Sequence, residues 1–94
     1  MYDDTTVSAP RATVRVENQR YLDVDVYAVY EGQRVRLGTV TGESTEVFAL
    51  PTAFVDPAKS IRILALPVGG DAAPISEEVH VYPGDEVSVL IVPY

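Results

Sequence analysis

The sequence predicts an all-β protein, a sandwich of two sheets made from about seven antiparallel strands. Three observations carry that prediction. Apolar and polar residues alternate over short, valine-rich runs, and no 3.6-residue helical period is sustained. Seven prolines punctuate the chain, and turn signals recur about every 8 to 12 residues, the spacing of a two-sheet sandwich. With 94 residues, 47% of them hydrophobic and 22% charged, the chain is long enough to bury one core and too apolar to stay disordered. Residues 11–94 are expected to form this domain, with residues 1–10 as a flexible acidic tail carrying Asp3 and Asp4.

The strands follow in order. Residues 12–17 alternate and form the first, and Asn18-Gln19-Arg20 turns the chain. Residues 22–40 read as a hairpin. Leu22, Val24, Val26, Ala28 and Tyr30 face inward on one arm, and Val35 and Leu37 on the other. Pairing Tyr30 with Val35 leaves Gly32-Gln33 as a two-residue loop with glycine first, as a type II′ turn requires. That register sets Glu31 opposite Arg34, an exposed pair worth at most about 1 kcal/mol. It also lays Tyr27 over Gly38, where an aromatic ring shields backbone.

Thr41-Gly42-Glu43-Ser44 marks the next turn, and residues 45–50 form a strand that Pro51 ends. Ala53, Phe54 and Val55 are expected to form a helical turn or an apolar plug at one end of the sandwich. Residues 60–66 are the fifth strand, with Ile61, Ile63 and Ala65 inward, and the glycine-rich residues 67–74 are a loop. Residues 75–82 and 86–92 are the last two strands. They are joined by Tyr82-Pro83-Gly84-Asp85, a type II turn sequence.

The succession VRVEN, DVDVYAVYEGQRVRLGTVTG, TEVFALP, IRILALP and VYPGDEVSVLIVP resembles small immunoglobulin-like or transthyretin-like β-sandwich domains of bacterial envelope proteins, many of them secreted or lipid-anchored. The resemblance covers most of the chain and rests on strand and turn motifs. It implies an immunoglobulin-like sandwich and an extracytoplasmic location, periplasmic or at the cell envelope. It carries over no catalytic residue, because that group shares no active site.

Chemistry-bearing residues are sparse. The chain has no cysteine, which removes disulfides, thiolate metal sites and cysteine nucleophiles. Its single histidine, His80, should point outward from a strand, and without a second histidine it offers zinc or copper a poor site. Asp23 with Asp25 and Glu77 with Glu78 are carboxylate pairs on exposed strand surfaces, where nothing desolvates them for acid–base work. No serine lies in a Gly-x-Ser-x-Gly elbow, and Gly69-Gly70 lacks the lysine and helix of a phosphate loop. The expectation is a protein that is not an enzyme and holds no metal or cofactor. A formal charge of −7 repels nucleic acid and anionic lipid. No apolar run reaches the length of a membrane helix, and Met1-Tyr2-Asp3-Asp4 is not a signal peptide.

The remaining signal is apolar residues on outward-facing positions. Tyr27 and Val29 lie on one strand and Leu64 and Leu66 on another, and in an immunoglobulin-like topology these strands are neighbours, so the four make one patch. Leu90 and Val92 face outward on the other sheet, beside Tyr82. An exposed apolar patch on a small domain marks an interface. The competing reading is that a β-bulge, for instance at Gly38, shifts the parity, or that loops cover the patch. The expected function is a non-catalytic interaction module, an accessory or stabilising subunit that docks on a larger membrane or envelope protein complex. The alternatives are a self-associating structural protein that uses its edge strands or the same patch, and a carbohydrate- or small-ligand-binding domain that would use Tyr21, Tyr27, Tyr30 and Tyr82.

Overall fold

The structure, a computed structural model, describes residues 12–55, 58–69 and 73–93. The acidic tail expected at residues 1–10 lies outside the described residues. Seven strands form two sheets: β1 (Thr13–Asn18), β2 (Val24–Tyr30), β3 (Gln33–Val40), β4 (Ser44–Ala49), β5 (Ser60–Pro67), β6 (Ile75–His80) and β7 (Glu86–Ile91). One sheet has the order β4-β1-β7 and the other β3-β2-β5-β6. The two-sheet β-sandwich anticipated from the alternation is therefore present. One pair departs from the antiparallel expectation: β1 and β7 run parallel, with Thr13 beside Glu86 and Asn18 beside Ile91.

The core lies where alternation places it. Val14, Val16, Val24, Val26, Ala28, Ile61, Ile63, Ala65, Val89 and Ile91 are all buried between the sheets. Such β-branched side chains pack well on a pleated surface. Residues 52–54 make one 3₁₀ turn, and this turn delivers Phe54 into the core. The Phe54 ring sits 5.5 Å, centroid to centroid, from that of Tyr30. Both readings of this segment hold: it is a helical turn, and Phe54 is the plug.

The hairpin differs from its expected register. Tyr30 pairs with Gln33, not Val35, so the loop is Glu31-Gly32. Both loop residues have positive φ, 49° and 82°, as a type I′ turn requires. This shift by two residues keeps Val35 facing inward, opposite Ala28. Glu31 then pairs with Lys59 rather than Arg34, and Tyr27 lies opposite Arg36 rather than Gly38. Gly38 is covered instead by Phe48, from β4 of the other sheet, whose ring would lie 2.6 Å from any Cβ at that position.

The register shifts by one residue between Val26 and Tyr27, a bulge that inserts Leu37 on β3. Its physical reason is in the sequence. Val35 and Val40 have opposite parity, and the extra residue lets Val40 turn fully inward as well.

The end of the sandwich near the β1–β2 and β3–β4 turns is locked by Asn18, the one buried polar residue among those described. Its amide donates to the carbonyls of Leu22 (2.8 Å), Thr41 (3.3 Å) and Val40 (3.4 Å), and its oxygen accepts the Arg20 N–H (3.1 Å). The buried amide thus finds all its partners in the backbone of the turns around it. Gly42 packs so closely on the Tyr21 backbone that any side chain there would overlap the Tyr21 carbonyl. At the opposite end Asp85 N–H donates to the Tyr82 carbonyl (3.0 Å) and Gly84 has φ 85°. This is the type II turn expected from Pro83-Gly84.

Candidate functional site: the outer face of the four-stranded sheet

β2 and β5 are hydrogen-bonded neighbours, and their register runs unbroken from Val24–Pro67 to Val29–Arg62. The bulge perturbs β3 alone. Because side chains alternate across a strand, burial of Val26, Ala28, Ile63 and Ala65 turns Tyr27, Val29, Leu64 and Leu66 to the outer face. Tyr27 sits directly opposite Leu64, and the patch continues with Val29 beside Arg62 and Leu66 beside Asp25. All four apolar residues are half-buried, because they cover one another and are overlain in part by their rim.

That rim is charged and arranged in rows. Across β3, β2, β5 and β6 one row reads Arg34, Val29, Arg62, Glu78, and the next reads Arg36, Tyr27, Leu64, Ser76. The Arg34 guanidinium carbon lies 4.2 Å from the Tyr27 ring centroid. This cation–π contact holds the guanidinium over the ring. Arg62 donates to the Ser76 hydroxyl at 2.9 Å. Arg36 donates to Asp25 (3.1 Å) and to Thr39 (2.6 Å), and Thr39 donates to the same Asp25 oxygen (2.6 Å). The Thr39 hydrogen bond, joined by that of Arg36 and by its charge, outweighs desolvation and holds the Asp25 carboxyl below its ordinary value. Three of the chain's seven Lys and Arg residues thus stand on one face of an acidic domain.

Of the second expected patch, Tyr82 alone does not join the other two. Leu90 and Val92 are exposed, at 51% and 52%. Tyr82, however, belongs to the turn that precedes β7. It lies eight positions before Leu90, so it stands at the opposite end of that strand, roughly 15 Å or more away. Val47, half exposed and beside Arg15 on β4, is an outward apolar residue that the sequence reading passed over. Its parity, opposite to that of Phe48, was the available signal.

The polar candidates have structural partners. Asp23 accepts the Gly42 N–H at 3.0 Å, and Asp25 serves the network above. His80 is exposed on the outward parity of β6, beside Ser60. Glu78 accepts a hydrogen bond from Ser60. Among the described residues no three His, Cys, Asp or Glu side chains cluster to hold a metal ion. No helix there is long and apolar enough to cross a membrane. An open depression lined by Glu17, Asn18, Gln19, Glu43, Ser44 and Thr45 is floored by the Asn18 amide, whose hydrogen bonds all go to the backbone.

No family model, no curated protein and no solved structure matches this chain.

Proposed function

We propose that this protein is a non-catalytic interaction module that docks on a larger protein complex through the outer face of its four-stranded sheet. The observation that carries this reading is the in-register Tyr27–Leu64 pair, flanked by Val29 and Leu66 and framed by three arginines. An aromatic anchor with aliphatic neighbours inside an arginine-bearing rim is the composition of a protein–protein contact centre. In this mechanism the four apolar side chains lose their remaining exposure in the complex. Arg34 and Arg62 set orientation by hydrogen-bonding carboxylates or carbonyls of the partner. The resemblance to envelope β-sandwich domains favours an immunoglobulin-like accessory subunit of a membrane-associated complex, acting outside the cytoplasm of a bacterium.

The test is Leu64→Asp, with capture of partners from the native host after mild crosslinking. Leu64 is only half-buried, so the fold should survive, as circular dichroism would show. A charge at the centre of the contact should weaken capture at least about tenfold. Capture unchanged by the substitution would overturn the assignment of this face.

A further inference from the structure

We propose that the edge of β7, unpaired among the described residues, is a second association site, at which two copies of the chain join their three-stranded sheets. A two-sheet sandwich has four edge strands, here β3, β6, β4 and β7. Natural proteins protect such edges with bulges, prolines or inward-pointing charges.

Three of the four are so protected. β3 carries the bulge and two arginines, Arg34 and Arg36. β6 turns exposed Glu77 to the inner parity, in register with buried Ile63. β4 does the same with exposed Glu46, in register with buried Val16. β7 has no such device: its register with β1 is continuous, and from Val87 to Ile91 it contains no charge and no proline.

The hydrogen bonds say which groups are open. Asp85 and Ile91 both direct their carbonyls to β1, accepting from Thr13 and Gln19 N–H, each at 2.9 Å. Alternate residues of a strand point their N–H and C=O to opposite sides. Glu86, Ser88 and Leu90 therefore present theirs to the open side. Val92, next in that series, has its carbonyl occupied by the Arg20 guanidinium at 2.9 Å. The open segment is thus bounded, and its midpoint is Ser88.

A two-fold axis at Ser88 makes this segment complementary to itself. Antiparallel pairing sets Ser88 against the second copy's Ser88 and Glu86 against its Leu90, so every open N–H and C=O is used. On the inner face Val87, which is only half-buried, meets the second copy's Val89, a favourable β-branched pair. Self-complementarity about this axis selects a second copy as the occupant, and charge says which edge allows it. For a chain of net charge −7, self-pairing of β4 or β6 would bring Glu46, or Glu77 and Glu78, towards their own equivalents. At β7 the axis falls on an uncharged serine, and Glu86 meets a leucine.

The experiment measures the mass of the full chain by analytical ultracentrifugation from tens of micromolar to about a millimolar, the range that a short interface requires. It is run beside Ser88→Lys, Ser88→Cys and Thr45→Cys. A mass rising from one chain to two is expected, with Ser88→Lys weakening the dimer about tenfold or more by placing two ammonium groups at the axis. Because the chain has no cysteine of its own, mild oxidation should crosslink Ser88→Cys and leave Thr45→Cys, on β4, monomeric. A constant monomer mass overturns the proposal. So does a dimer indifferent to Ser88→Lys, or one crosslinked equally well through residue 45. Leu64→Asp should leave the dimer intact, so this result stands or falls apart from the docking face.

Discussion

Asp25 occupies a corner of the proposed docking face, and its charge holds that corner together. Thr39, then Arg36, favours the ionised form, so the carboxyl titrates below its ordinary value near 3.8. A depressed folded value means that the stabilisation is complete above the ordinary value and is lost as pH falls through the lowered one. Asp25→Asn keeps an acceptor for Thr39 but removes the charge. Urea unfolding across an acid series should find the variant less stable than the parent at neutral pH. The two curves should converge once pH falls below the lowered folded value. A gap of constant size down to strongly acidic pH would show that hydrogen bonding alone, without the charge, stabilises the corner.

At the scale of the element, the 3₁₀ turn at residues 52–54 shows how one side chain gives an irregular segment its place. Nothing in the backbone of this turn binds it to either sheet as a strand would be bound. Phe54, buried against Tyr30, fastens it. Phe54→Ala should cost about 3 to 4 kcal/mol, the usual loss for a large core aromatic, measured as a lowered urea midpoint. The Tyr30 environment should change with it in near-ultraviolet circular dichroism. A loss below about 1 kcal/mol would mean that the end of the sandwich collapses onto the vacancy. Elements of this kind were legible in the sequence through composition alone: Pro51 stops a strand, and an apolar triplet then needs somewhere to go. The hairpin loop was legible only in part. Gly32-Gln33 and Glu31-Gly32 both make a two-residue loop and both keep Val35 inward, so parity does not separate them. Alternation likewise does not announce the bulge that seats Val35 and Val40 inside together.

Taken whole, the molecule places its two proposed contacts on different sheets, with the core between them. The docking face belongs to β2 and β5 and the open edge to β7. Their substitutions should therefore be independent: the Leu64→Asp, Ser88→Lys double variant should lose capture and dimerisation each to the extent of its single variants. Coupling between the two would show that dimerisation presents or blocks the docking face. Sequence reading found the four patch residues because β2 and β5 follow strict alternation, and alternation states which side chains share a face. It misplaced Tyr82 relative to Leu90 because a face does not say where along a strand a residue stands. It also gave no sign of the parallel β1–β7 pair, since period-2 patterning is the same whichever way the neighbouring strand runs.

That parallel pair has a consequence for how the chain acquires its shape during synthesis. β1 is the first of the described strands and β7 the last, yet they lie side by side, so nearly the whole described chain separates the two halves of this ladder. Closing so long a loop is entropically costly and slow, and contacts of such sequence separation characterise domains that fold in milliseconds to seconds rather than microseconds. Until residues 86–91 reach it, β1 has only β4 beside it. The three-stranded sheet is then left with its central strand open on one side until β7 arrives. Nascent molecules are most exposed to mispairing in that interval.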